Sequence, residues 1–258
     1  MVVGEVWEAG DAYEAYVGRW SRRVAARFVP SLGVPAKVGW LDVGCGTGVL
    51  SAAVLALAEP ARVTGIDPSR GFLSSARVAV PGVGYAVADA RHLPFADGTF
   101  GAVVSGLALN FVPGTARAIA ESARVAAPGA VVAAYVWDYA EGMELMRYFW
   151  DAALLLDPAI AGLDEGLRFP LCRPGALRAA WEDAGLLGVT VAPVDVPTPF
   201  ASFDDYWLPF LGGQGSAPAY VATLSASHRE ALREELRHRL PDGAFELTAR
   251  AWAVRGVR

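Results

Sequence analysis

Apolar residues along the chain follow two alternating spacings, and this alternation predicts strands followed by helices. Between residues 11 and 30, large apolar side chains recur every three or four positions, which is typical of an amphipathic helix. We expect this N-terminal helix to end near Pro30. Between residues 38 and 137, short apolar runs alternate with segments of helical spacing. The expected strands are 38–43, 62–66, 83–88, 100–107 and 130–137, and the expected helices are 48–57, 69–78 and 115–126.

This order predicts an α/β fold with a doubly wound, mostly parallel sheet. The strands at 100–107 and 130–137 are nearly continuous apolar runs, which indicates helices on both faces of the sheet. The pattern after residue 137 is less regular. There we expect helices at 143–156, 175–184 and 202–211, a longer helix opening at Ser227 in a capping-box sequence, strands at 189–196 and 245–254, and a loop at 209–218. The predicted sheet therefore has seven strands.

Composition places the chain among folded proteins and excludes several partners. Its 258 residues are 54% hydrophobic and 19% charged, which excludes a disordered chain. The formal net charge of −5 argues against a broad phosphate-binding surface, so nucleic acid is not an expected partner. The long uncharged runs contain Pro and Gly and predict no membrane span, and no signal peptide is apparent. We expect one cytoplasmic domain over residues 1–258, as a monomer or homodimer.

The cysteine and histidine content offers little catalytic or metal chemistry. Cys45 and Cys172 lie far apart, and neither belongs to a Cys-x-x-Cys pair. A disulfide framework or a zinc site therefore has no support, and no metal is predicted. We expect Cys45 to be a small packing residue and His92 to lie on a loop surface.

The segment after the first predicted strand carries glycine at three alternate positions, Gly44, Gly46 and Gly48. Glycine accepts backbone angles that other residues resist, and it leaves no side chain between the backbone and a ligand. A dinucleotide site would place a third glycine where this chain has Val49, and a Walker-type phosphate loop would need a lysine that the segment lacks. These differences favour a nucleotide-like ligand without phosphate.

Acidic residues follow the first strands where such a ligand would need them. Asp42 lies just before the glycines, and Asp67 follows Gly44 by 23 positions, near the spacing at which a carboxylate can accept hydrogen bonds from a ribose. Asp89 follows the third strand, where a carboxylate can face an adenine amino group. So many acids would repel a pyrophosphate but would favour a sulfonium cation.

At this point the chain resembles the class I methyltransferases that use S-adenosylmethionine, especially the small-molecule branch similar to ubiquinone-biosynthesis C-methyltransferases. The resemblance covers roughly residues 13–137. It rests on four motifs that occur in order at the expected spacing. They are the glycine segment 41–51, Gly65-Ile66-Asp67-Pro68-Ser69, the stretch from Ala88 to Phe95 with Phe100 beyond it, and Arg124-Val125-Ala126-Ala127-Pro128-Gly129.

The resemblance implies a Rossmann-like methyltransferase fold and a set of residues that bind the cofactor. The glycine turn would lie along the methionine part of the cofactor, with Asp42 near the methionine amino group. Asp67 and Pro68 would lie at the ribose. Asp89 and Ala90 would bracket the adenine. Further implied contacts are Ser105 on the methionine side, and Tyr16, with Tyr13 and Arg19, on an N-terminal helix that closes over the cofactor.

The acceptor is less defined by the sequence. Several members of the family have a histidine just after the fourth strand, where this chain has Asn110, which can orient an acceptor but cannot remove its proton. Asp138 and Tyr139, just past the fifth strand, are the other candidate catalytic residues. Two additions, 138–175 and 197–243, are rich in aromatic residues and predict a helical lid over a small apolar or aromatic acceptor.

Three functions remain open at this point. The favoured function is methyl transfer from S-adenosylmethionine to a small molecule, with the cofactor-binding half at residues 38–137. The alternatives are an NAD-linked oxidoreductase, which Val49 opposes, and a protein that binds S-adenosylmethionine without catalysis, which the absence of a clear base keeps open.

Overall fold

The computed structural model describes residues 18–212 and 215–258. The first half of the predicted N-terminal helix, with Tyr13 and Tyr16, lies outside the described residues. Within them, helix α1 spans Arg19–Ser31. Pro30 lies inside its last turn rather than ending it, a difference of one residue at a helix end where boundaries commonly shift by that much.

The next part of the chain alternates strands and helices as predicted. Its elements are β1 (Gly39–Val43), α2 (Val49–Leu57), β2 (Arg62–Asp67), α3 (Arg70–Ala79), β3 (Gly84–Val87), β4 (Phe100–Gly106), a 3-10 helix (Leu109–Phe111), α4 (Thr115–Val125) and β5 (Ala126–Trp137). β5 begins four residues before the predicted strand, since residues 126–129 also have strand geometry.

The remaining elements form a more irregular series. They are α5 (Glu144–Leu156), a 3-10 helix (Pro158–Leu163), α6 (Glu165–Arg168), a 3-10 helix (Pro170–Cys172), α7 (Pro174–Asp183), β6 (Leu187–Phe200), α8 (Phe203–Trp207), a 3-10 helix (Leu208–Gly212), α9 (Ser216–Thr223), α10 (Ala226–Arg239) and β7 (Phe245–Val257).

Two predictions in this region are wrong. The segment expected to be a loop, 209–218, contains the end of a 3-10 helix and the start of α9, because Pro218 lies in the first turn of α9, where proline costs no hydrogen bond. Helix α10 is capped by Ser225 and not by Ser227, since the Ser225 hydroxyl accepts the hydrogen bond from the His228 N–H.

The seven strands form one sheet in the order β3-β2-β1-β4-β5-β7-β6. The pairs β1–β2, β1–β4, β2–β3 and β4–β5 are parallel. β5 and β7 run in opposite directions, because Gly129 donates to the Arg258 carbonyl while Asp138, nine residues later, donates to the Arg250 carbonyl. The predicted doubly wound, mostly parallel seven-stranded sheet is therefore confirmed. In the described part of the chain, no helix is both long and apolar enough to cross a membrane.

The chain divides into two compact units. The first contains Ser21–Val136, Leu171–Val194 and Ala251–Arg258. Its core is built on the sheet, and the fully buried side chains include Trp40, Ile66 and Phe100. The buried indole of Trp181 donates to the Val132 carbonyl at 3.0 Å, which ties α7 to the sheet.

The second unit contains Trp137–Pro170 and Asp195–Arg250, together with the first described residues as far as Trp20. Its core is aromatic: the rings of Phe149 and Phe210 stack at 4.5 Å, and Tyr206 lies 5.3 Å from Phe210. The buried Tyr206 hydroxyl donates to the Leu145 carbonyl. Most aromatic residues of this region are therefore core, while the role of 138–175 and 197–243 as a lid stays a prediction.

Candidate functional site

The glycine turn after β1 is held by main-chain hydrogen bonds to the end of β2. The N–H groups of Gly44 and Cys45 both donate to the Ile66 carbonyl, at 2.8 and 2.9 Å. Gly48 donates to the Cys45 carbonyl at 2.8 Å, which closes the turn directly before α2. All three glycines have positive φ angles, of 73°, 53° and 91° in chain order. The left-handed backbone explains why the sequence places glycine at these positions.

The three glycines differ in what surrounds them. A Cβ at Gly44 would lie 2.5 Å from the Cβ of Ala108, and a Cβ at Gly48 would lie 2.9 Å from the Tyr85 hydroxyl. A Cβ at Gly46 would meet no atom within 4 Å. Gly44 and Gly48 therefore permit packing within the protein, whereas Gly46 faces open space, where a ligand can approach the backbone.

Asp67, at the end of β2, fixes the middle of the turn. Its Oδ2 atom accepts a hydrogen bond from the Gly46 N–H at 3.0 Å, and its Oδ1 atom accepts one from the Ser69 N–H at 2.8 Å. Pro68 lies between Asp67 and Ser69 in the chain, and Ser69 is the N-cap of α3. Burial raises the pKa of Asp67, while the two N–H donors lower it. Asp67 is thus placed to orient the turn, and its predicted ribose contact stays a prediction.

Asp42 lies beneath the turn and is 1% exposed. Its Oδ2 atom accepts a hydrogen bond from the Ser51 hydroxyl at 2.7 Å, and its Oδ1 atom has no hydrogen-bond partner. Desolvation by burial raises the pKa of Asp42 from 3.8 to about 7, against the lowering effect of Ser51. This geometry supports a structural role beneath the turn, and it leaves one buried oxygen for a ligand or a water.

The surroundings of Asp42 make Cys45 an unreactive thiol. Burial, followed by the nearby Asp42 and Asp67 carboxylates, raises the pKa of Cys45. The thiolate needed for nucleophilic attack is therefore disfavoured, which agrees with the packing role expected for Cys45. Tyr85 lies in the same cluster, where its buried hydroxyl has no hydrogen-bond partner and burial raises its pKa to about 12.

Asp89, after β3, is bound by a neighbour that the sequence interpretation did not consider. The Arg91 guanidinium donates to both carboxylate oxygens of Asp89, with the shortest distance at 2.7 Å, and the Arg91 N–H donates to Oδ1 at 2.8 Å. These bonds lower the pKa of Asp89 to about 2. The Asp-x-Arg spacing in the sequence could have indicated this pair. Ala90 is buried and His92 is exposed, as expected for His92.

Ser105 lies near the end of β4, and Asn110 lies in the 3-10 helix that follows this strand. Ser105 is buried, and its hydroxyl donates to the Val43 carbonyl at 2.7 Å, which joins the ends of β4 and β1. Leu107 follows with a φ of 57°, an uncommon conformation for a non-glycine residue. In the 3-10 helix beyond it, both amide atoms of Asn110 are buried without a hydrogen-bond partner. The side chain of Asn110 therefore offers an amide NH2 group as donor and a carbonyl oxygen as acceptor.

The remaining predicted residues lie in the second unit. Asp138 is 3% exposed, and its Oδ1 atom accepts a hydrogen bond from the Glu141 N–H at 3.2 Å. Tyr139 is 8% exposed, and its ring lies 5.7 Å from that of Phe169. Arg19 pairs with Asp205 at 2.8 Å, with its guanidinium 4.3 Å from the Trp20 ring. Local contacts thus explain these three residues, and Tyr16 lies outside the described residues.

The fold is Rossmann-like, and the turn makes the carboxyl ends of β1 to β4 the candidate ligand site. Comparison with known proteins makes the class specific. The family model described as "Methyltransferase domain" matches residues 41–134. The malonyl-[acyl-carrier protein] O-methyltransferase of Geobacter sulfurreducens is 34% identical over 191 residues, which cover 72% of this chain and 68% of that protein. The chain belongs to the class I S-adenosylmethionine-dependent methyltransferases.

A further relative agrees with this family, and a solved structure shares the fold. The ubiquinone/menaquinone biosynthesis C-methyltransferase of Desulfotalea psychrophila is 41% identical over 113 residues, which cover 43% of this chain and 44% of that protein. The chain thus matches less than half the length of this relative. A Bacillus halodurans crystal structure described as a methyltransferase has a TM-score of 0.60 at 16% identity, with 90% of this chain and 97% of that chain covered, and it shows a shared fold.

The residues of the site fit the cofactor of this family. The space above Gly46 would be filled by any side chain at that position, so it can receive the methionine part of S-adenosylmethionine. The three acids, Asp42, Asp67 and Asp89, suit a ligand with cationic and hydroxyl groups. Asn110, whose amide has no hydrogen-bond partner, follows by two residues Ala108, the residue whose Cβ a Cβ at Gly44 would meet.

Proposed function

We propose that the protein transfers a methyl group from S-adenosylmethionine to a small apolar or aromatic acceptor. The observation that carries the proposal is the glycine turn, in which Gly46 faces open space while its N–H is fixed by Asp67. The relatives named above are a ubiquinone/menaquinone biosynthesis C-methyltransferase and a malonyl-[acyl-carrier protein] O-methyltransferase, which supports methyl transfer to a small molecule or to a small carried group. They give no support to an NAD-linked oxidoreductase.

The residues that would hold the cofactor lie in the first unit. Gly46 would allow close approach of the methionine part, Asp67 would accept hydrogen bonds from the ribose, and Asp89 with Ala90 would flank the adenine. Gly44, Gly48, Pro68 and Ser105 would shape the same surface through the backbone. When bound, S-adenosylmethionine supplies a methyl group on a sulfonium, which a nucleophilic acceptor can displace directly.

The chain's own contribution to such a displacement is alignment and exclusion of water. Correct positioning of two reactants contributes roughly 7–11 kcal/mol, so a protein nucleophile is not required. This agrees with the raised pKa of the Cys45 thiol. Asn110 would orient the acceptor through its two unpaired amide atoms, and it cannot act as a general base because an amide does not titrate near neutral pH.

An apolar acceptor is proposed from the aromatic content of the predicted lid segments, although most of those rings pack in the core of the second unit. Asp138 and Tyr139 remain candidates for contact with the acceptor, although Asp138 accepts a hydrogen bond within its own turn. A cytoplasmic location, a monomeric or homodimeric state and the absence of nucleic-acid partners remain proposals of the same kind.

Binding of the cofactor tests the first part of the proposal. Titration calorimetry with S-adenosylmethionine, S-adenosylhomocysteine and NAD should show binding of the first two compounds. Asp67→Ala should weaken this binding tenfold or more, about 1.4 kcal/mol, because the ribose acceptor and the bond to Gly46 are both lost. The matched control is Asp183→Ala, which removes an exposed acid of α7. Binding of NAD alone would contradict the proposal.

Transfer of the methyl group separates an enzyme from a binding protein. The protein is incubated with methyl-labelled S-adenosylmethionine and an extract of small molecules, and label is measured in an organic phase. We expect label that depends on the protein and falls with Asp67→Ala. Tight cofactor binding without any transfer would favour the non-catalytic alternative.

A further inference from the structure

The loop between β3 and β4, residues 88–99, carries Asp89 and Ala90 but contains neither helix nor strand. A loop of this length needs outside contacts to keep one conformation, because fixing each residue costs backbone entropy. The contacts come from α4. Two side chains of this helix, Glu121 and Arg124, belong to its last two turns, and Arg124 opens a motif to which the proposed function gives no role.

Glu121 binds the middle of the loop from a buried position. It is 4% exposed, and its Oε2 atom accepts a hydrogen bond from the Leu93 N–H at 2.9 Å. Arg124 donates to both carboxylate oxygens of Glu121, at 2.8 and 2.9 Å, and Arg117 lies 3.3 Å away. The bonds from Arg124 are the main reason that the pKa of Glu121 is lowered to about 2. The carboxylate is therefore ionised and paired at neutral pH.

Arg124 binds the loop at three further points. Its guanidinium donates to the carbonyls of Leu93 and Phe95, at 3.0 and 2.8 Å, and to the carboxylate of Asp97 at 2.7 Å. Its own carbonyl accepts a hydrogen bond from the Gly98 N–H at 3.0 Å. Spacing of three residues places Glu121 and Arg124 on one face of α4. A single pair thus fixes loop positions 93, 95, 97 and 98.

The same helix reaches the ligand-facing end of the loop. Arg117 donates to the Arg91 carbonyl at 3.3 Å, and the Arg91 side chain donates three hydrogen bonds to the Asp89 carboxylate. A continuous set of polar contacts therefore runs from α4 to Asp89. The side chains of α4 contact main-chain groups and charged side chains of the loop. These contacts fix the position of the loop and add little to the hydrophobic core.

We propose that Glu121 and Arg124 are positioning residues, which hold the 88–99 loop so that Asp89 and Ala90 recognise the adenine of the cofactor. This inference rests on the proposed function. It predicts that the two residues influence recognition of the base more than catalysis itself, since neither is placed at the reacting atoms.

Two ligands that differ only at the base test the inference. S-inosylhomocysteine has a carbonyl oxygen where S-adenosylhomocysteine has the adenine amino group, so at this position the base presents an acceptor instead of a donor to Asp89, and its only Watson–Crick-edge donor is the ring N1–H. Calorimetry with the wild-type protein should show at least tenfold preference for S-adenosylhomocysteine. In Arg124→Gln and Glu121→Gln, we expect about tenfold weaker binding of S-adenosylhomocysteine and a preference reduced to threefold or less.

Two further variants complete the experiment. Arg124→Lys keeps the charge but loses the planar fork that reaches several acceptors at once, so it should behave like Arg124→Gln while disturbing the fold less. Arg239→Gln is the matched control, because Arg239 forms an i,i+4 pair with Glu235 at 2.7 Å on α10. The turnover rate at saturating cofactor should change less than twofold in the Arg124 and Glu121 variants.

The outcomes are distinguishable. Unchanged affinity and preference in the Arg124 and Glu121 variants would overturn the inference. Equal weakening for both ligands, with the wild-type preference kept, would also overturn it, since that result indicates general destabilisation. A wild-type protein that binds neither ligand would overturn the proposed function itself.

Discussion

The glycine turn and the 88–99 loop lie at the same edge of the sheet, because β1 and β3 are both parallel to β2, but they are held in different ways. The turn is fixed by its own backbone and by buried groups beneath it. The loop is fixed by charged side chains of α4, several of them partly exposed. Changes in buried charge or in side-chain volume at the turn should therefore alter the stability of the protein. Changes in surface charge or in salt concentration should alter the electrostatics of the loop.

The largest expected effect concerns the buried charge beneath the turn. The folded protein holds the Asp42 proton more tightly than the unfolded chain, so this group lowers stability as pH rises from about 4 to about 7. Three pKa units correspond to about 4 kcal/mol. Asp42→Asn should remove this slope, as measured by urea unfolding at a series of pH values. Identical slopes for both proteins would contradict the pKa shift.

Added volume in the turn should have the next largest effect. Gly44→Ala should lower the free energy of unfolding by about 3 kcal/mol, because the new methyl overlaps Ala108 and the backbone is left-handed. Gly46→Ala is the control, since it meets no protein atom and should cost about 1 kcal/mol. The double variant Gly44→Ala/Ala108→Gly should regain part of the loss. Equal losses in the two single variants would show that packing does not distinguish these glycines.

The smallest expected effect is in the loop. Arg91→Gln should raise the pKa of Asp89 from about 2 towards its ordinary value, with little change in stability, because the pair is exposed to solvent. A titration of the carboxyl carbons by NMR measures this shift directly. In the wild-type protein, 1 M salt should raise the same pKa through screening. A pKa that stays near 2 in the variant would assign the shift to another donor.

Much of the fold could be predicted because its pattern is local. The apolar runs and the helical spacing between residues 38 and 137 placed every strand of that half within a few residues. The two wrong predictions concern positions at which the local sequence is compatible with two structures. Ser225 directly precedes α10 and Ser227 lies in its first turn, and a serine at either position could cap a helix. The proline at 218 fits either a loop or the first turn of a helix.

The sequence predicts which residue types form the candidate site, but it does not predict which of them contact a ligand and which pack against the protein. The sequence indicates that Gly44, Gly46 and Gly48 need special backbone angles. It does not indicate that Ala108 fills the space at Gly44 or that Tyr85 fills the space at Gly48. Those contacts depend on the packing of β3 and β4 against the turn. The contacts of Glu121 with the loop were missed for the same reason, since they join residues 28 positions apart.

The burial of both cysteines has a practical consequence for labelling chemistry. Cys45 and Cys172 are each buried, and the pKa of the Cys45 thiol is raised, so neither should react readily with maleimide reagents in the folded protein. A cysteine introduced at an exposed position of the loop, such as His92, would then be the one fast-reacting thiol of the folded chain. A fluorophore attached there could follow the loop in the otherwise native sequence.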